Sequence, residues 1–441
     1  MGKYYDVRDP IHGFITLDEW ERDIVNHTVF QRLRGIRQLG LTDMVYPGAM
    51  HNRFEHSLGV MHVATRMFDE IVKRRKEFLK NALNFTEGGL ERDRVLVRIS
   101  CLLHDVGHSP FSHAAENLMP LVSGSDKHYD HENYSAAAVL HLMKDVIENH
   151  PLNQNYKLTV KEISDFLNGH SNTGRCLLWR DLLTGHLDAD RADYLLRDSY
   201  HIGVAYGHFD LNRLMITMTV AIDPETESPT LAVEEGGMHT AEALILARYM
   251  MFTQVYFHTT RRAYDTHLEA AIKTMLEEEH KDLDLPEKGV FLPPVNENNI
   301  FDYMKWNDWK VLGLIDSDNG GDGGKKIKNR DHDRCVHQTS ETPDETELSF
   351  FEEVFSKLKE YSPILDKAEK SWYKLDATAK DITILLRPGR GDEELSKLSR
   401  LSSTVRGLKS VNQNRIYVSY ENKEKAIKIV EGLRKNHEGE K

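Results

Sequence analysis

The sequence predicts a mainly α-helical fold, a helical core followed by a small α+β C-terminal region, and three observations carry that prediction. Apolar residues recur at helical spacing through residues 23–40, 58–71 and 95–106, and again along 240–279. Strand-like alternation with turn residues is confined to a hairpin pattern at Met215–Glu234 and to short runs at Asp381–Leu386 and Arg415–Tyr420. The chain has 441 residues, 40% hydrophobic and 29% charged, which is enough to bury an active-site core in one large domain with appendages or in two to three domains.

In chain order, Asp9-Pro10-Ile11-His12-Gly13 reads as a turn leading into a short strand or loop. From Asp23 to Gly40 the residues Ile24, Val25, Val29, Phe30, Leu33, Ile36 and Leu39 fit one helix face, with Gln31, Arg32, Arg34, Arg37 and Gln38 left for solvent or a nucleotide. His56 opens the next helix, whose buried stripe is Leu58, Met61, Ala64, Phe68 and Ile71. Taken alone, His51, His56 and His62 read as ordinary helix-end or surface residues. The organising stretch runs from Ser100 to His113. There an apolar helix, anchored by Val95, Ile99, Leu102, Leu103 and Val106, delivers His104, Asp105, His108 and His113 to a cleft. An isolated His-Asp pair more often pins a helix than binds an ion.

His131 follows a polar loop and starts another helix. Asp190, Tyr194 and Asp198 then fall at i, i+4 and i+8 on one helix face, a crowding of carboxylates that calls for a cation or for arginines such as Arg191 and Arg197. A long helix is expected over Thr240–Glu279 with an interruption near Thr259, carrying a mixed aromatic and basic face around Arg261, Arg262 and Tyr264. The Gly-, Asp- and Lys-rich stretch 317–334 reads as a flexible insertion or linker. Beyond it, a helix over Glu347–Tyr361, the two short strands and a closing helix over Glu421–Arg434 make the small α+β region.

A net charge of −13 argues against a general nucleic-acid-coating or membrane-surface role, because those partners are anionic. Cys101, Cys176 and Cys335 are too few and too scattered for a disulfide framework or a thiolate zinc site, which points to a reducing cytosol and a cytoplasmic protein. The polar start MGKYYDVRDP shows no signal peptide, and no apolar run is long enough to span a bilayer.

His56, the His104–Asp105 pair and Asp190 supply two imidazoles and two carboxylates from three helices. Such a set suits one divalent ion per chain with open positions, and the mixed N/O donors favour Mn, Fe, Co or Zn over an all-oxygen Mg or Ca cage. The segments HNRFEHS, HDVGHSPFSH and HLDADRADYLLRD resemble those of the HD-domain phosphohydrolases. They are most similar to the deoxynucleoside triphosphate triphosphohydrolases of the sterile-alpha-motif and HD-domain type, although no separate sterile-alpha-motif domain precedes the HD core in this sequence. The resemblance runs from Asp9 through the RRAY segment at Arg261 and is looser in the last quarter.

The resemblance implies an HD-domain catalytic core over 1–215, an extension over 216–316 that completes the active site and an oligomer interface, a linker or insertion over 317–346, and the small α+β domain over 347–441. It implies that His56, His104, Asp105 and Asp190 hold the metal, Mg being a further candidate ion, and that His108 and His113 line the phosphates. His131 would be the catalytic histidine, oriented by Glu116, where the family's eukaryotic member has Asp. Gln38, Leu39, Arg53, Arg191, Tyr194, Asp198 and Tyr264 would hold sugar and triphosphate, while Tyr256 replaces a phosphate-binding Arg. Gln31 and Arg34 match part of an allosteric nucleotide pocket in which Asn26 replaces an Asp. The implied partners are deoxynucleoside triphosphates, a nucleotide activator and further copies of the chain in a homodimer or homotetramer. The implied activity converts a deoxynucleoside triphosphate to the deoxynucleoside and inorganic triphosphate. Two alternatives stand beside it: an HD nucleotidase or phosphodiesterase acting on other nucleotides, disfavoured by the sugar-reading matches, and a regulatory nucleotide-binding scaffold, disfavoured by the intact ligand set and His131.

Overall fold

Asp9 builds the first turn. One of its carboxylate oxygens accepts from the backbone N–H groups of Ile11 and His12 at 2.9 and 2.8 Å, closing the hairpin of β1 (Tyr5–Asp9) and β2 (Gly13–Leu17). Gly13 supplies the left-handed residue that this turn needs, with φ of 79°. The structure is a computed structural model that describes residues 3–170, 176–224, 226–370, 381–387 and 393–439.

The single helix expected over 23–40 is broken. Helix α1 (Glu19–Asn26) stops at His27, whose ψ of 142° is extended, and only a short turn at Thr28–Gln31 and a 3-10 turn at Arg32–Gly35 follow. Ile24, Phe30, Leu33 and Ile36 are all buried nevertheless, so the periodicity reported burial rather than continuous helix. Arg32, expected to be solvated or to meet a nucleotide, is buried and donates to the backbone carbonyls of Trp306 and Val106 at 2.9 and 3.3 Å. Residues 37–40 then leave helical geometry, and Arg37 bridges to Asn52.

Three helices make the frame of the core: α2 (Arg53–Asn81), α3 (Glu87–Leu103) and, later in the chain, Ala189–Ile202. Helix α2 starts in a capping box between Asn52 and Glu55, which sets its first turn and hence the place of His56. Gly59 lets the Ala189–Ile202 helix come close, because a Cβ there would lie 1.9 Å from Asp193 Oδ1. Gly107 plays the same part beside α4 (His131–Leu142): a Cβ would sit 2.1 Å from the Ser135 nitrogen. Ser135 fastens that contact, its hydroxyl donating to the His104 carbonyl at 2.5 Å and accepting from Gly107 N–H at 2.9 Å. Helix α5 (Val160–Asn168) packs on α4, and α6 (Ala189–Ile202) follows.

The predicted hairpin forms as β3 (Met218–Ile222) and β4 (Pro229–Glu234). The predicted interruption of the long helix lies at 252–258, where a π-helical turn separates α7 (Met238–Met251) from α8 (Thr259–Glu279). Helices α9 (Glu297–Met304) and α10 (Asp308–Asp316) follow.

The stretch that composition marks as a flexible linker instead holds α11 (Gly321–Lys328), packed on α8. Its glycines permit backbone approach: a Cβ on Gly323 would stand 2.3 Å from the His267 carbonyl oxygen. Glycine here serves close packing, a use that composition cannot tell from flexibility.

The C-terminal quarter is shared between two sheets rather than forming one separate unit. Strands β5 (Arg334–Gln338), β6 (Ile364–Lys370) and β9 (Val411–Val418) form an antiparallel sheet in the order β5-β9-β6, backed by α12 (Glu345–Lys357) and α13 (Lys423–Gly439) over a small core of Phe351, Val354, Ile416, Val418, Ala426 and Val430. Strands β7 (Thr383–Leu386) and β8 (Glu394–Lys397) join the earlier hairpin, with β7 parallel to β4, because the free edge of β4 offers unpaired backbone groups. Among the described residues no helix is long and apolar enough to cross a membrane.

Candidate metal centre and substrate cavity

His56, His104, Asp105 and Asp190 converge where α2, the end of α3 and the start of α6 meet. His56 Nε2 lies 3.0 Å from Asp190 Oδ1 and 3.5 Å from Asp105 Oδ2, and His104 Nε2 lies 3.2 Å from Asp105 Oδ1 and 3.9 Å from Asp190 Oδ1. Ligands at right angles around an ion with bonds of about 2.1 Å stand roughly 3 Å apart, so this spacing suits one first-row divalent ion. The sharper test is His104. Its Nδ1 bonds the Cys101 carbonyl at 2.8 Å, while its buried Nε2 makes no hydrogen bond of good geometry among the described residues and faces only the Asp105 and Asp190 carboxylates. The donor set therefore fits a divalent cation.

Behind His56 stands Asp193, fully buried. It accepts from four donors: His56 Nδ1 at 2.8 Å, His12 Nε2 at 2.6 Å, and Arg197 Nε and Nη2 at 2.8 and 2.9 Å. Arg197 is in turn held by Asp9 at 2.8 Å. This carboxylate fixes the ring so that Nε2 faces the centre. Burial opposes a charge on His56, but its hydrogen bonds to Asp190 and Asp193 raise its pKa to about 10. Arg197, read from the sequence as a counter-charge to the Asp190 face, serves Asp193 on the other side. Arg191 pairs with Asp188 at 2.6 Å.

A second node forms around Glu116. It accepts from His131 Nδ1 at 2.5 Å and His113 Nδ1 at 2.7 Å, and His131 stacks on His108 with ring centroids 3.9 Å apart. Burial would lower the His131 pKa, but the charge and hydrogen bond of Glu116 raise it to about 9; burial and the neighbouring Arg53 and His131 charges drive His108 well below its ordinary value. One ring is thus cationic and its neighbour neutral, a division of roles suited to proton donation beside an uncharged ring.

Both nodes open on a cavity of about 960 Å³. Of the residues expected to contact substrate, Gln38, Leu39, Arg53, Arg191, Tyr194 and Asp198 line it, as do His104, Asp105, Asp190, His108, His113 and His131. Tyr264 does not. It is 1% exposed and packs on the His332 ring at 4.8 Å. The reason is helical phase: Arg261, Arg262, Asp265 and Glu269 face the cavity, and Tyr264 points about 110° around α8 from the middle of that face. Gln31 and Arg34 also lie outside the cavity lining, bonded to each other at 2.9 Å with Arg34 over the Phe54 ring. Tyr256 donates to Asp198 at 2.6 Å, and His51 holds the other Asp198 oxygen at 2.7 Å.

Several contributors escaped the sequence reading. Asp188, Arg248 and the strand residues Asp366 and Lys367 line the cavity, and Asp366 ion-pairs with Arg262. His12 and Asp193 support the metal centre. The one available signal was the DPIHG turn, whose Asp9 and His12 both reach α6.

Residues 53–198 match the HD domain family, and residues 209–286 match the HD associated region. An uncharacterized protein of Bacillus subtilis, YwfO, is 30% identical over 401 residues, covering 88% of this chain and 83% of that protein. A deoxynucleoside triphosphate triphosphohydrolase SAMHD1 homolog of Dictyostelium discoideum is 32% identical over 263 residues, covering 59% of this chain and 47% of that protein, so the chain spans about half the length of such relatives. The crystal structure of a hypothetical protein from Aquifex aeolicus superposes with a TM-score of 0.74 at 27% identity, covering 97% of this chain and 99% of that one.

Proposed function

This chain belongs to the HD-domain phosphohydrolase family, and we propose that it hydrolyses deoxynucleoside triphosphates to the deoxynucleoside and inorganic triphosphate. The observation that carries this reading is one cavity lined by His104, Asp105 and Asp190, by His131, and by Gln38, Leu39, Arg53, Arg191, Tyr194 and Asp198, with His56 and Glu116 bonded just behind that wall.

His56, His104, Asp105 and Asp190 would hold a divalent ion, which when bound would supply Lewis-acid charge at the α-phosphate and lower the pKa of the attacking water. Arg53, Arg261, Arg262 and Lys367 provide cationic charge along the cavity for a polyphosphate. Arg53 is held for that task, its Nη1 on Asp105 and its Nε on Ser112 Oγ at 2.7 Å. His131, cationic at neutral pH, gives its Nε2 proton to the departing 5′ oxygen as the bond to the α-phosphorus breaks, while Glu116 keeps Nδ1 protonated and the ring in place. Leu39, which lines the cavity together with Gln38 and Asp198, disfavours a 2′-hydroxyl.

Anion-exchange analysis of products from each deoxynucleoside triphosphate tests the reading. Stoichiometric deoxynucleoside and triphosphate are expected. Release of a monophosphate with pyrophosphate, or turnover confined to monophosphates or cyclic nucleotides, would replace it with the nucleotidase or phosphodiesterase reading. The same assay with a second nucleotide added tests an activator at Gln31 and Arg34, and sizing of the protein with and without nucleotide tests a homodimer or homotetramer.

A further inference from the structure

Four consecutive grips join the segment 303–309 to the backs of two cavity loops. Tyr303 donates its hydroxyl to the Gly107 carbonyl at 2.8 Å, and the Trp306 carbonyl accepts from Arg32 at 2.9 Å. Asp308 accepts from the backbone N–H of Arg37 at 2.8 Å and of Phe111 at 2.7 Å, one amide per carboxylate oxygen. The Trp309 ring lies against Gly35, where a Cβ would stand 3.2 Å from it.

The two amides that Asp308 takes are placed tellingly. Arg37 immediately precedes Gln38 and Leu39, and Phe111 immediately precedes Ser112 and His113; Gln38, Leu39, Ser112 and His113 all line the cavity. Phe111 and Ser112 are both held in the left-handed region, at φ of 57° and 61°, a costly conformation for two adjacent side-chain-bearing residues that persists only where the surroundings enforce it. Ser112 then ties the loops to each other and to the metal centre. Its hydroxyl donates to the Arg37 carbonyl at 2.6 Å and accepts from Arg53 Nε at 2.7 Å, and Arg53 bonds Asp105.

An acidic residue in the first turn of a helix ordinarily serves that helix's own amides and dipole. Asp308 does not, because Asn307 is the cap of α10, accepting from Lys310 N–H at 2.9 Å, while the Asp308 side chain, 2% exposed, turns to amides 271 and 197 residues away in sequence.

We propose that Asp308 is a positioning residue for the phosphohydrolase reaction, setting the two loops that carry Gln38–Leu39 and Ser112–His113 through their backbone amides. The activity part of this inference rests on the function proposed above; the positioning part does not.

The full-length, metal-loaded protein is compared with Asp308→Asn, nearly isosteric but with one oxygen replaced by an amino group facing an N–H, with Asp308→Ala, and with Asn307→Ala, which removes the helix cap and leaves the loops alone. Hydrogen–deuterium exchange is read over residues 36–40 and 109–113, and kcat and KM are taken per metal-loaded chain with a deoxynucleoside triphosphate. Exchange in both loops is expected to quicken at least about tenfold in the Asp308 variants, with KM raised and kcat lowered by roughly tenfold together. Asn307→Ala is expected to lower thermal stability while leaving loop exchange, KM and kcat at wild-type values. Loop exchange unchanged in Asp308→Asn overturns the proposal whatever the activity, and so does an equal exchange change in Asn307→Ala. Quickened exchange with no turnover in any chain, wild type included, upholds the positioning and counts against the proposed reaction instead. Quickened exchange with unchanged KM and kcat in an active enzyme overturns the catalytic part. Asp308→Asn supplies the reading if Asp308→Ala does not fold.

Discussion

Glu116→Gln removes a charge from the His131 ring while keeping a side chain of the same length. In the native site burial disfavours the charged ring, but the Glu116 charge and hydrogen bond raise the His131 pKa to about 9. At pH 7.5 an imidazole of pKa about 9 is about 97% protonated; one returned to its ordinary 6.5 is about 9% protonated. Turnover that needs the protonated ring therefore falls about tenfold at pH 7.5, and by more if burial then dominates. The assay is kcat against pH from 5.5 to 9.5 for wild type and Glu116→Gln, normalised to bound metal. The wild-type basic limb is expected near pH 9, and the variant's at or below 6.5, with partial recovery in mild acid. A basic limb in Glu116→Gln that stays where wild type has it would refute the assignment of the proton donor. The linkage to stability has the same sign. Because the folded His131 pKa is raised, its pairing with Glu116 stabilises fully below the ordinary imidazole pKa and is lost as pH rises through about 9. The depressed Glu116 pKa makes its share present above the ordinary carboxylate range and lost in acid.

His131→Ala is expected to retain metal and substrate affinity and to lose roughly 10²- to 10⁴-fold in kcat, the range for a positioned acid; lowered thermal stability with kcat intact would make the residue structural. The purified wild type is expected to hold about one divalent ion per chain and His104→Ala and Asp105→Ala each to lose it; full occupancy by elemental analysis in both variants would remove the ligand assignment. Leu39, in the cavity wall that also carries Gln38 and Asp198, should make kcat/KM for dATP exceed that for ATP by roughly 10²-fold, the discrimination an apolar wall achieves against an added hydroxyl; equal values would exclude the deoxyribose reading.

What was legible in the sequence lived on single helices. The apolar stripe before His104 and the i, i+4, i+8 row of Asp190, Tyr194 and Asp198 each declared a face, and those faces do meet at the cavity. The register of the RRAY segment was misread for the same kind of reason. A basic and aromatic run does not say which residues turn inward, and the phase of α8 sends Arg261 and Arg262 to the cavity and Tyr264 to the core.

What the sequence left hidden depends on contacts between distant segments. His12 reaches Asp193 across 181 positions, and Asp308 reaches Arg37 across 271. No local period announces such a pair. Gly323 shows the limit of composition, because a residue that reads as loose linker is required by a close helix crossing. The wall supplied by Asp366 and Lys367 follows from how the C-terminal sheet docks, which its strand pattern alone does not contain.

In the proposed reaction water attacks the α-phosphorus while His131 protonates the departing 5′ oxygen, and the fate of one oxygen atom distinguishes this route from the others. Hydrolysis of a deoxynucleoside triphosphate in water enriched in oxygen-18, with mass spectrometry of both products, is predicted to place one heavy oxygen in the inorganic triphosphate and none in the deoxynucleoside. Label in the deoxynucleoside, or in a monophosphate released with pyrophosphate, would contradict it.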